Sequence, residues 1–153
     1  MRFVKPKKAL GQHFLNDIGV AERIVESLSP SQNVLEIGPG TGILTKILIK
    51  KKIDLKLVEI DKESVIKKIN AYEISKEYID NEKINLIYLD PPFKDKNINK
   101  LLRKILDLKI AHKSTLIIIH RNKKFKENFI EDFNVLREKK YGLSKIIFGK
   151  LLF

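Results

Sequence analysis

Residues 33–45, NVLEIGPGTGILT, decide the fold. An apolar run of strand length meets three glycines at alternate positions, Gly38, Gly40 and Gly42. A stretch with helical spacing, ILTKILIKK (43–51), follows at once. A short apolar run thus gives way to helical spacing across one tight turn. Strand, glycine turn and helix in that order form the opening unit of a parallel α/β sheet. Glycines at such a turn permit left-handed backbone and let a ligand approach the main chain.

Working outward, the pattern repeats. Residues 16–29 carry a helical face of Ile18, Val20, Ala21, Ile24, Val25 and Leu28, with Asn16 or Asp17 as cap. DLKLVEID (54–61) reads as a second strand ending in acids, and KESVIKKINAYEISKEY (62–78) as a helix. KINLIYL (83–89) is a third strand and NINKLLRKILDLKI (97–110) an amphipathic helix. STLIIIH (114–120) is fully apolar, as in the middle of a parallel sheet. FKENFIEDF (125–133) is expected to form a short helix. NVLREKKYG and SKIIFGKLLF read as an antiparallel closing pair turning at Gly142 and Leu143. Residues 1–15 form a basic arm, and residues 16–153 are expected to be one α/β domain.

The 153 residues suffice for a real core. Cysteine is absent, which excludes disulfides and thiol chemistry and fits a reducing cytoplasm. No apolar run reaches membrane-spanning length. The net charge is +12, and it is clustered: Arg2 to Lys8; Lys94 to Lys104; Arg121, Lys123, Lys124 and Lys126; Arg137, Lys139, Lys140 and Lys145. A merely solvated lysine-rich surface would give the same count. Clusters of this kind nevertheless favour a polyanionic partner, nucleic acid before membrane.

The glycine turn lacks the full G-x-G-x-x-G dinucleotide pattern. No Lys-Ser/Thr pair follows it, which excludes a P-loop. Glu59 and Asp61 end the second strand, where a carboxylate can accept both ribose hydroxyls. A glycine turn and a ribose acceptor without a phosphate grip suit a nucleoside cofactor such as S-adenosylmethionine. The loop candidates are Glu36, Gly38 and Gly40.

KKALGQHFLND (7–17), NVLEIGPGTGILT (33–45) and KLVEIDKES (56–64) together resemble the N-terminal part of the small-subunit rRNA adenine dimethyltransferases. The resemblance implies S-adenosylmethionine binding through His13, Leu15, Gly38 and Glu59, with Gln12 and His13 reaching over the methionine end. His13 departs from the Asn common at that position of the motif.

Asp90-Pro91-Pro92-Phe93 resembles the (Asn/Asp/Ser)-Pro-Pro-(Tyr/Phe) signature of amino-group methyltransferases. An exocyclic amine is a poor nucleophile because its lone pair is delocalised into the base. The Asp90 side chain and the Pro91 carbonyl can accept both N–H bonds and release that lone pair, with Asp90 also bordering the cofactor. Phe93 is expected to stack on an extruded base. The prolines stiffen the turn. The bland alternative is an Asp-Pro helix start. Adenine dimethyltransferases usually carry Asn-Leu-Pro-Tyr or Asn-Ile-Pro-Tyr here. INLIYLDPPFKDK (84–96), STLIIIHRNKK (114–124) and REKKYGLSKIIFGK (137–150) resemble instead the 16S rRNA guanine-N2 methyltransferases.

These resemblances imply a Rossmann-like class I methyltransferase sandwich with a mostly parallel sheet and antiparallel closing strands. Between Asp61 and Asp90 one strand fewer fits than this class carries, so an edge strand beside the second strand is expected to be missing, with Asp80 and Glu82 as weak substitutes for its adenine-gripping group. The chain reads as a chimera-like monomer. The expected activity is S-adenosylmethionine-dependent methylation of a base amine in small-subunit rRNA, guanine N2 ahead of adenine N6. An RNA-binding remnant without turnover is the rival.

Overall fold

The computed structural model describes residues 17–26, 28, 32–58, 74, 79 and 83–153. Nine elements occur among them: α1 (Ile18–Glu26), β1 (Asn33–Ile37), α2 (Ile43–Lys50), β2 (Asp54–Val58), β3 (Leu86–Leu89), α3 (Ile98–Asp107), β4 (Leu116–Asn122), β5 (Phe133–Tyr141) and β6 (Ser144–Leu151). The basic arm, the helix expected over 62–78, Asp61, Asp80 and Glu82 lie outside the described residues. Asp17 caps α1, its Oδ1 accepting the Val20 N–H at 3.0 Å.

The strands form one sheet in the order β2-β1-β3-β4-β6-β5. β2, β1, β3 and β4 run parallel, while β6 lies antiparallel to both β4 and β5. β4 therefore joins the parallel and antiparallel parts and does not sit inside a purely parallel sheet. Among the described residues β2 is an edge, the side where the missing strand was expected. From β1 the chain moves outward to β2, then returns to the other side of β1 as β3. That reversal opens a crevice at the carboxyl ends of β1 and β3.

Alternation along each strand divides the core into two layers. Leu35, Ile37, Ile87, Leu89, Ile117 and Ile119 face Leu101, Leu102 and Ile105 of α3. Val34, Leu86, Tyr88, Ile118, Ile146 and Phe148 belong with Val20, Ile24 and Val25 of α1 and Leu44 and Leu48 of α2.

The helix expected over 125–133 does not form. Residues 125–130 are irregular, and Phe133 opens β5 opposite Leu151. Phe133 is buried in the sheet, Phe129 packs edge-on against it, and Glu127 is drawn to Arg121. Tertiary partners thus outweigh the i, i+4 spacing of Phe125, Phe129 and Phe133. β5 and β6 turn at Gly142 and Leu143, with Gly142 at φ 51°.

Candidate active site

β1 and β3 are hydrogen-bonded neighbours, with Ile37 opposite Leu89. The turn after β1 and the Asp-Pro-Pro-Phe turn after β3 therefore emerge side by side. The Gly38 N–H donates to Val58 O at 2.8 Å, and the Asp90 N–H to Ile37 O at 2.9 Å. Gly38, Gly40 and Gly42 have φ of 80°, 54° and 73°. A Cβ on residue 38 would lie 2.7 Å from the Asp90 carbonyl oxygen. Backbone contact this close explains glycine at that position. The structure thus brings the glycine turn and Asp90 together.

Asp90 does not start a helix, since α3 begins only at Ile98. Its Oδ1 lies 2.8 Å from Nδ1 of His120 on β4. His120 is fully buried, and its Nε2 lies 2.7 Å from Ser144 Oγ on β6. The Phe93 ring stands edge-on to this imidazole, centroids 5.1 Å apart at 78°. Phe93 is only 3% exposed. That corrects the expectation of an open stacking platform: the ring is committed to packing beneath His120. Pro91 is buried and Pro92 partly so.

One residue further along β4, Arg121 points to the opposite sheet face. Its Nε donates to Glu127 Oε1 at 2.8 Å. NH1 donates to Pro92 O at 3.0 Å, and NH2 to Asp95 O at 2.7 Å and Phe93 O at 3.4 Å. One guanidinium fork thereby clamps the loop that follows Asp90. Arg121 and Lys145 were counted with the surface cations, and both are buried. Lys145 donates to Phe125 O at 2.7 Å. Lys94, Lys96, Lys100, Arg103, Lys123, Lys124, Lys126, Arg137, Lys139 and Lys140 are exposed.

Glu36 is buried and accepts the Thr45 hydroxyl at 2.8 Å, which ties β1 to α2 across the glycine turn. Tyr88, opposite Glu36 in the ladder, has a buried hydroxyl without a partner among the described residues. Burial pushes its phenol well above the ordinary value, and the charges of Asp90 and Glu36 add to the shift. Gln12, His13, Leu15 and Glu59 lie outside the described residues. His120, Ser144 and Arg121 were not singled out from sequence. The signal for His120 and Arg121 was alternation at the end of an apolar strand, whereas Ser144 opens β6.

The described part suits the cofactor expected from sequence. Left-handed glycines open the backbone at the switch point, next to a carboxylate and an orphaned buried hydroxyl. No helix among the described residues is long and apolar enough to cross a membrane, and no group of metal-ligating side chains occurs among them.

Comparison with known proteins bears on the chemistry. A family model described as ribosomal RNA adenine dimethylase matches residues 4–91. A ribosomal RNA small subunit methyltransferase A of Parabacteroides distasonis is 57% identical over 67 residues, 42% of this chain and 25% of that protein. The chain thus spans about a quarter of that relative's length. Among solved structures, a putative RNA methyltransferase from Pyrococcus horikoshii superposes with TM-score 0.64 and 20% identity over 98% of this chain and 90% of its own. A S-adenosylmethionine-dependent methyltransferase from Bacteroides fragilis, in complex with S-adenosyl-L-homocysteine, gives 0.60 and 10% over 97% and 83%. These two likenesses establish the class I methyltransferase-like fold.

The expectation of guanine N2 is overturned. The adenine-family match runs from the arm through the glycine turn to Asp90 and Pro91, so both halves of the candidate site lie inside it. Matching more than half of its length, the chain belongs to the ribosomal RNA adenine dimethylase family.

Proposed function

We propose that the chain binds S-adenosylmethionine and directs methylation of an adenine N6 amine in small-subunit rRNA. The observation that carries this reading is the contact between the glycine turn and Asp90, two motifs 52 positions apart that meet at the crevice between β1 and β3. S-adenosylmethionine supplies an electrophilic methyl group on its sulfonium. The residues to hold it are the Gly38–Gly42 backbone and, by family resemblance, Gln12, His13, Leu15 and Glu59. Asp90 and the Pro91 carbonyl accept the amine N–H bonds, so the nitrogen lone pair is withdrawn from the ring and turned outward. Once the nitrogen carries a methyl group it must shed a proton, for which the Asp90 carboxylate is an acceptor. Arg121 holds the Pro92–Asp95 loop rigid, so positioning costs little entropy when a base arrives.

Charge supports an RNA partner. The turn carrying exposed Lys123 and Lys124 is tied to the hairpin tip, with the Lys123 N–H donating to Leu143 O at 3.0 Å. That tip carries Ser144, which contacts His120 beside Asp90. Cations therefore flank the candidate site, where they can hold phosphates. Calorimetric titration with S-adenosylmethionine tests the cofactor half: saturable binding is expected, and none contradicts the reading. RNA binding with a steep salt dependence but no methyl transfer would favour the binding module instead.

A further inference from the structure

We propose that His120 is the positioning residue for Asp90, with Ser144 holding the far nitrogen of its ring. The inference rests on the methyl-transfer reading above. The contacts themselves form a chain from β3 through β4 to β6: Asp90 Oδ1 to His120 Nδ1 at 2.8 Å, then His120 Nε2 to Ser144 Oγ at 2.7 Å.

The chemistry assigns the proton between ring and carboxylate. An ionised carboxylate only accepts, so Nδ1 carries the hydrogen towards Asp90. The Ser144 hydroxyl, which can donate or accept, pairs with Nε2 and holds the far side of the ring. A carboxylate rotates about two single bonds. With Oδ1 engaged by a fully buried ring, the carboxylate is held in one orientation, from which Oδ2 would accept an incoming N–H. Phe93 packs edge-on against the same ring and fixes its tilt. The turn residue that sequence suggested for stacking a base thus acts one layer deeper, on the group that orients the carboxylate.

His120, Tyr88, Glu36 and Ser144 project from one sheet face, so the polar groups there form a row at the edge where β1, β3 and β4 finish and β6 begins. Arg121, on the other face, holds the loop backbone, and His120 holds the side chain. Loop and carboxylate of the same motif are thereby fixed separately by adjacent residues of β4.

Substitutions that preserve one ring nitrogen at a time test the assignment. Asn can replace the Nδ1–H donor, Gln reaches only towards the Nε2 position, and Leu replaces neither. His120→Asn is expected to retain kcat within about threefold, while His120→Gln and His120→Leu lose roughly 100-fold with the cofactor Kd unchanged. Equal loss in all three variants, or no loss in any, would overturn the proposal. The second readout is the imidazole 15N spectrum of the unmutated protein. An Nδ1–H tautomer at His120 that shifts on Asp90→Asn is expected, and an Nε2–H tautomer overturns the proposal even if the variants fail to fold. If the unmutated protein transfers no methyl group, the proposed function fails, and the spectrum still decides whether His120 holds Asp90.

Discussion

The main chain of Gly38 touches that of Asp90, so closely that a Cβ on residue 38 would stand 2.7 Å from the Asp90 carbonyl oxygen. Gly38 also sits at φ 80°, where side chains are strained. Neither the strand ends nor the turn can yield without moving the other motif. Gly38→Ala is therefore expected to weaken S-adenosylmethionine binding at least about tenfold, roughly 1.4 kcal/mol. Gly38→Arg should abolish it. Calorimetry on folded variants checks both, and wild-type affinity in Gly38→Arg would exclude the turn as the cofactor site.

Asp90→Ala removes the proposed amine acceptor but leaves the glycine turn. Methyl transfer should fall by roughly 100- to 1,000-fold, the range found when one preorganised polar partner of a reacting group is lost. Cofactor Kd should change by less than about threefold. Single-turnover assays beside calorimetry separate the two effects. Unimpaired turnover would refute the role of Asp90.

Arg121→Ala strips four hydrogen bonds from Glu127, Pro92, Phe93 and Asp95 at a site where the guanidinium is almost fully buried. Leaving the partly buried Glu127 carboxylate unpaired, together with the lost loop bonds, is expected to cost about 3 kcal/mol. Arg121→Lys cannot reproduce the fork and should recover only part. Urea unfolding measures both. A loss below about 0.5 kcal/mol for Arg121→Ala, typical of a surface substitution, would show that the clamp is not structural.

Tyr88 carries a pH prediction. Its phenol is raised in the folded chain above the ordinary 10.0, chiefly by burial. The unfolded chain then releases this proton at lower pH than the folded one. The contribution to stability is complete below pH 10 and is lost as pH rises towards the folded value. Tyr88→Phe should flatten this alkaline decline relative to the unmutated protein, and should cost little at neutral pH because the hydroxyl has no partner among the described residues. Parallel alkaline curves for the two proteins would contradict the assignment.

Much of the architecture was legible because local period and global topology agree. The apolar run before Gly38–Gly42 and the helical spacing after it mark β1 and α2, and the spacing of Ile98, Leu101, Leu102 and Ile105 marks α3. The meeting of Gly38 and Asp90 rests on β1 and β3 being parallel neighbours, with Ile37 opposite Leu89. His120 and Arg121 were not legible as a pair. Alternation puts them on opposite faces, but their partners lie 30 and 29 positions away, at Asp90 and Pro92, and only the β3–β4 register brings them near. Arg121 and Lys145 were misread as surface charge because composition does not distinguish a solvated cation from one paired inside. The base was misjudged because the resemblance of the catalytic half was weighed above that of the cofactor half. Adenine and guanine both offer an exocyclic amine to the same acceptor pair, so Asp90-Pro91-Pro92-Phe93 by itself does not discriminate between them. The family match, to the adenine dimethylase family, spans the glycine turn as well as Asp90 and Pro91.

The measurement closest to the central claim is transfer of labelled methyl groups from S-adenosylmethionine to small-subunit rRNA lacking its modifications, with the product base identified by mass spectrometry. N6-methylated adenine, abolished by Asp90→Ala, is the predicted result. Label on any other base, or none while the protein still binds cofactor and RNA, would contradict the account.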